Sequence, residues 1–370
     1  MIDRQRMLDR FVDMVETDNS TGQELGVSRK IRAMLAQVGV TMEEDDAGPK
    51  IGGNAGNLYA YIPGSLDLPP VLLSSHMDAV EPAKGKKAVV HEDGTITSDG
   101  TTVLGADDLA GLNVILESVI SVLESGKPHR PIELLLTVAE ETYCTGIYEF
   151  DFSKIRSREA YCYDLTGPIG GASNEAPSIL SYKGTFLGRA AHAGFSPEKG
   201  IHAIRAAATA VANIECGHVR DTTVSVGTIQ GGTADNVVPE CCVVTGEIRG
   251  LLDASARREL QNVRNIMEQA AEQFGAELRF EDKTLVMAYK VEPTEPVAQR
   301  FYEACRKIGA EAKLVPTYGG SDNNPFFQHG IHGLVVAPGM NNCHSCNEYS
   351  SIQDMEQAAR LTEAMLLSEI

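Results

Sequence analysis

Pro70-Val71-Leu72-Leu73-Ser74-Ser75-His76-Met77-Asp78 is an apolar run of strand length that stops on a histidine and an aspartate. A second such run, Ile132-Glu133-Leu134-Leu135-Leu136-Thr137-Val138, stops just before Ala139-Glu140-Glu141-Thr142. Dense apolar strands of this kind belong at the centre of a sheet covered on both faces. Between them, Leu109, Leu112, Leu116, Val119 and Leu123 recur on one face of a predicted helix from Asp108 to about Leu123, and Asp107 or Asp108 could cap its start. Strand, helix and strand in alternation predict an α/β fold with a mostly parallel sheet. Open sheets of that type place ligand sites beyond the carboxyl ends of their strands, where His76 and Glu140-Glu141 stand.

Working outward, residues 3–16 and 23–37 have helical spacing and flank the polar loop Asp18-Asn19-Ser20-Thr21-Gly22. Past Ser173-Asn174-Glu175-Ala176-Pro177, which reads as a polar hinge, the pattern changes. Strands near 180–190, 222–230, 240–249 and 276–284 and helices near 199–215 and 253–273 give the order βαββαβ, a ferredoxin-like unit. Beyond Glu292-Pro293-Thr294-Glu295-Pro296 the alternation of the first part resumes and ends in a helix from about Ile352, where Ser351 and Asp354 have capping-box spacing. The expected organisation is a larger domain of residues 1–177 and 287–370 with residues 178–286 inserted as a smaller domain.

The 370 residues carry 43% hydrophobic and 22% charged side chains, ordinary for packed domains, and no apolar run is long enough to cross a bilayer. A formal net charge of −19 without any basic tract argues against a nucleic-acid partner. The segment Met1-Ile2-Asp3-Arg4-Gln5-Arg6-Met7 lacks the apolar core of a signal peptide, which leads us to expect a cytoplasmic protein. The eight cysteines are scattered, so a disulfide framework is not expected.

Chemistry concentrates at element ends. Ser75-His76-Met77-Asp78, Gly105-Ala106-Asp107-Asp108, Ala139-Glu140-Glu141-Thr142, Tyr163-Asp164 and Cys343-His344 supply imidazole and carboxylate donors in an ordered series. These are the ligand types that zinc accepts, and a bridging carboxylate is the usual way to hold two such cations together. Taken singly, His76 reads as a core histidine, Asp107 as a helix cap and Asp164 as part of an Asx turn. Cys343-His344-Ser345-Cys346 also contains a C-x-x-C, but without a second such pair its thiols read as spectators.

Taken in order, these blocks resemble the metal-site motifs of the M20 metallopeptidases, most closely the peptidase T-like branch of tripeptide aminopeptidases. The likeness continues through Ala191-His192-Ala193-Gly194-Phe195-Ser196-Pro197-Glu198-Lys199-Gly200 and Gly231-Gly232-Thr233-Ala234-Asp235-Asn236-Val237-Val238-Pro239, which are similar to motifs of that family's lid domain. The resemblance implies two zinc ions per subunit, with cobalt or manganese as substitutes. His76 and Asp164 would bind one, Glu141 and His344 the other, and Asp107 would bridge them across a cis peptide to Asp108. It further implies that Glu140 is the general base and that Asp78 orients His76. His192 would reach the oxyanion, and Asn236 and Arg249 would hold a substrate carboxylate. Short peptides would be the substrates, and the inserted domain would join two subunits as a homodimer. The same centre would also suit deacylation of N-acyl amino acids. A binding protein that has lost catalysis is the reading from another class, and the intact Glu140 speaks against it.

Overall fold

The computed structural model describes residues 1–368. At its centre, strands Ile132–Thr137, Val71–His76, Glu159–Cys162 and His332–Val336 lie side by side and parallel, with Leu73 opposite both Leu134 and Tyr161, and Tyr161 opposite Leu334. Strand Leu58–Ile62 adds antiparallel outside the first of these, and Gly171–Ala176 runs antiparallel to the last. All six residues of Val71–His76 and of Ile132–Thr137 are buried, which is why neither strand alternates apolar with polar. Each fully buried leucine or isoleucine here contributes roughly 1.5–3 kcal/mol.

Helix Ala106–Ser125 is buried on nearly every side. Ser118 Oγ donates to the Ala359 carbonyl at 3.1 Å and so pins it to helix Ile352–Leu366. Of the two aspartates expected to be able to cap its start, Asp108 does so. Asp107 and Asp108 are non-helical, the peptide between them is cis, and the capping contact comes from Asp108 Oδ1, which accepts the Gly111 N–H at 3.1 Å. The Asp107 side chain turns instead toward two histidines. Gly111 has no room for a side chain, since a Cβ there would lie 2.6 Å from the Tyr163 carbonyl oxygen. At the far end of the chain, Ser351 accepts the Asp354 N–H at 3.0 Å and caps helix Ile352–Leu366. Ser351→Ala is expected to lower stability by about 1 kcal/mol. Urea denaturation would show this as a lower midpoint at unchanged slope.

The chain divides into two compact units. One comprises residues 1–174, 290–317 and 321 onward; the other comprises 175–289 with 318–320. Residues 173–176 of the segment read as a polar hinge belong to strand Gly171–Ala176. Asn174 lies in strand Gly171–Ala176, and its backbone and side chain bond the backbone of Val291, so the outgoing and returning chains are clasped together.

The second unit is an antiparallel sheet in the order Gly217–Val219, Thr222–Gly231, Cys241–Gly250, Ser178–Leu187, Glu277–Val286. Helices Ala203–Asn213 and Asp253–Phe274 cover one face and share a core with Phe186, Val244, Ile248, Val263 and Met267. This is the ferredoxin-like arrangement with one strand added, because residues 217–219 fold back as a short hairpin onto 222–224. Residues 188–202 contain one 3₁₀ turn, Pro197–Lys199, and the helix that was expected from 199 begins at Ala203.

Candidate metal centre

His76 ends one of three neighbouring parallel strands and Glu140 and Asp164 follow the carboxyl ends of the other two, so the sheet itself brings them together. Asp107 enters from the start of helix Ala106–Ser125, and His344 from the turn between strands Met340–Asn341 and Tyr349–Ser351. Asp107 divides its carboxylate between the two histidines: Oδ1 is 3.0 Å from His76 Nε2 and Oδ2 is 3.1 Å from His344 Nε2. Glu141 Oε2 is 3.2 Å from the same His344 nitrogen. Donor atoms of His76, Glu140 and Asp164 lie within 4.8 Å of one another, as do those of His76, Asp107 and Glu141.

Carboxylates and amides from elsewhere in the chain hold the segment carrying Glu140 and Glu141. Four consecutive backbone N–H groups are taken by side chains: Val138 by Asn57 Oδ1 at 3.1 Å, Ala139 by Glu24 Oε1 at 3.2 Å, Glu140 by Asp78 Oδ1 at 3.0 Å and Glu141 by Asp78 Oδ2 at 3.2 Å. Asp78 also faces His76 Nδ1, 3.3 Å from Oδ1 and 3.1 Å from its own carbonyl oxygen, and a histidine held in this way presents Nε2 as the ligand atom. Glu348 does the same for Asp107, accepting the N–H groups of Gly105 at 2.6 Å and Asp107 at 2.9 Å. Glu24, Asn57 and Glu348 belong to no motif, and the only sequence signal for them was polar residues in segments of otherwise ordinary loop composition.

The donor set fits cations. Glu141 Oε1 is buried without a hydrogen-bond partner among the described residues, and acidic groups outnumber the two histidines around it. Burial pushes Glu140, Asp164 and Glu141 above the usual carboxylate range, and neighbouring carboxylates add to each. Burial also pulls His76 down, but Asp107 and Asp78 outweigh it and hold the ring well above its ordinary value. Hydrogen bonds to Asp107 and Glu141 raise His344 to about 10. Burial would raise Asp107 as well, yet its two histidine contacts hold it low.

A pH dependence follows for chelator-treated protein. Every raised group stabilises the fold below its unfolded pKa and loses that contribution as pH climbs through the folded value, a window that for His344 runs from 6.5 to about 10. Cations in place of the protons remove the dependence. The unfolding midpoint of chelated protein is therefore expected to fall across this window while that of zinc-loaded protein stays level. A constant gap between the two would show that metal does not neutralise this cluster.

In the second unit, His192 is exposed, and its Nδ1 accepts the N–H groups of Gly194 at 3.1 Å and Phe195 at 3.2 Å, which leaves Nε2 as the protonated donor. The Asn236 carbonyl accepts the Ala193 N–H at 2.9 Å, so these two segments are neighbours. Arg249 stands elsewhere, at the opposite end of strand Cys241–Gly250, about 27 Å along the strand from its start at about 3.4 Å per residue. There it bonds Glu247 at 2.7 Å and the Tyr318 carbonyl at 2.8 Å. One copy of the unit therefore does not bring Arg249 beside Asn236. The eight cysteines are free, with Cys343 and Cys346 half-buried on either side of His344. Burial pushes the thiol of Cys144, deep beneath the centre, well above its ordinary value.

Comparison with known proteins agrees with this architecture. Residues 174–275 match the family model of the M20 peptidase dimerisation domain. The chain is 32% identical over 367 residues to the uncharacterised protein YqjE of Bacillus subtilis strain 168, covering 99% of both. Among solved structures it is similar to the aminopeptidase PepT of Bacillus cereus ATCC 10987, with a TM-score of 0.90 and 31% identity over 99% of this chain and 98% of that one. It is also similar to a tripeptidase of Staphylococcus aureus Mu50, with a TM-score of 0.94 and 29% identity over the same shares. With such likeness along its whole length, the chain is an enzyme of the M20 metallopeptidase family, on its peptidase T-like branch.

Proposed function

We propose that this enzyme is a two-zinc aminopeptidase that releases the first residue of short peptides, tripeptides foremost. The observation that carries the reading is the division of Asp107 between His76 and His344, with Glu140 buried beside them. His76 and Asp164 would hold one cation, His344 and Glu141 the other, and Asp107 both. Bound there, the two ions would supply Lewis acidity toward a peptide carbonyl and lower the pKa of water.

The protein's own part in the reaction centres on Glu140. Its carboxylate takes the proton of the attacking water and returns it to the amine nitrogen that leaves, and the burial that raises its pKa suits it to both duties. Asp78 keeps Glu140 and Glu141 in separate roles by fixing the backbone of each. His192, with Nε2 as donor, is suited to the oxyanion.

The inserted unit supports a homodimer. From Ser225 onward, strand Thr222–Gly231 has no strand on its outer side among the described residues, and Ile229 is exposed there. An open edge of this length is a template for pairing with a second copy. We place the enzyme in the cytoplasm. No helix among the described residues is long and apolar enough to cross a membrane.

The deciding assay compares an unblocked tripeptide with its N-acetylated form, using protein stripped by chelator and then restored with zinc. Cleavage confined to the free-amine peptide and to the restored protein is expected. Cleavage of the acetylated form alone would replace the aminopeptidase with a deacylase.

A further inference from the structure

Glu140 belongs to two groups of side chains. One contains His76 and Asp164, the other Cys144 and Asp322, and in each the donor atoms lie within 4.8 Å of one another. The second group is closed off from solvent, Cys144 and Asp322 each being 1% exposed. Within it the Cys144 thiol donates to Glu140 Oε1 at 3.3 Å, and the Cys144 N–H donates to the Glu140 carbonyl at 2.7 Å. Thr137 Oγ1 donates to Asp322 Oδ2 at 2.5 Å, which anchors the aspartate to the end of the strand that leads to Glu140. Cys144 itself has φ +58°. That left-handed turn folds residues 140–144 back on themselves and sets the thiol beneath the carboxylate four residues upstream.

A carboxylate that moves protons has to present one oxygen in a fixed direction, because a proton is transferred efficiently only along a short, aligned contact. Asp78 fixes the Glu140 backbone, but it does not set the rotation of the carboxylate. The thiol does. We propose that Cys144 is a positioning residue for Glu140: its S–H occupies Oε1, which fixes the carboxylate plane and leaves the other oxygen to exchange protons with water and leaving amine. The inference rests on the reading of Glu140 as the general base. It assigns a task to a buried cysteine that the metal ligands leave unused.

Cys144→Ala and Cys144→Ser, both restored with zinc and assayed on the tripeptide, separate the donor from the fold. Alanine and serine meet the same backbone strain at φ +58°, and only serine can donate. Cys144→Ala is expected to lower kcat about 10- to 100-fold, the usual effect of removing a partner that orients a site residue. KM, zinc content and unfolding midpoint should match those of Cys144→Ser, whose kcat should stay within about threefold of the parent. A parental kcat in Cys144→Ala, or an equal loss in both variants, would overturn the proposal. If Glu140→Gln remains active, the reading of the base fails. If Glu140→Gln is dead while Cys144→Ala is fully active, only the positioning role fails.

Discussion

Glu140→Gln is expected to lower kcat on a tripeptide by about 10³-fold while leaving two zinc ions bound per subunit. Glutamine keeps the shape of the side chain and can still accept the Cys144 thiol, but it cannot carry a proton from water to amine. The backbone on which the residue rides is held by Asp78 and by the Cys144 N–H, contacts that the substitution does not touch. Neighbouring Glu141 retains its contact with His344, so metal retention should not change. Removing a buried carboxylate whose pKa is already raised should, if anything, firm up the metal-free protein. Steady-state kinetics beside metal analysis of the same preparation checks the claim; activity within tenfold of the parent at full zinc content would move the proton-transfer role elsewhere.

Asp107→Ala is expected to be more damaging still, costing at least one zinc ion and more than about 10³-fold in kcat/KM. Among the described residues Asp107 is the carboxylate in contact with both histidines, at 3.0 and 3.1 Å, and alanine would remove both contacts, leaving Glu141 on His344 alone. Glu348 would continue to hold the N–H of residue 107, so the loop should keep its course. The loss should therefore appear in metal stoichiometry before it appears in the fold. Zinc titration of chelated protein would follow it directly; two ions bound at parental affinity in Asp107→Ala would dismiss the bridging role.

The parallel centre of the sheet could be read from Val71–His76 and Ile132–Thr137 because a strand buried on both faces has no choice but to be apolar throughout. The blocks that carry His76, Asp107, Glu140, Glu141, Asp164 and His344 stood out only as an ordered series of imidazole and carboxylate donors at element ends, since each taken singly has an ordinary structural reading. What supports them was not legible. Asn57, Glu24 and Glu348 act through hydrogen bonds to backbone atoms distant in sequence, and nothing in local composition distinguishes them from solvated polar residues. The helix start stayed open for a related reason: two adjacent aspartates could cap it equally well on spacing alone, and only the turn of the chain decided that Asp108 caps while Asp107 faces the histidines. The short hairpin at 217–219 was missed because three residues carry too little periodicity to register.

The insertion of residues 175–289 between Asp164 and His344 has a consequence for how the enzyme is made. Ribosomes deliver His76, Asp107, Glu141 and Asp164 early, then an entire second folding unit, and the last histidine only near the end of synthesis. Domains tend to fold as units in the order in which they emerge. The inserted sheet can thus be complete while the nascent catalytic unit still presents an open cluster of acids with a single imidazole. On the proposed ligand set, the metal site would be completed only late in synthesis, on a chain that can already carry its finished second unit.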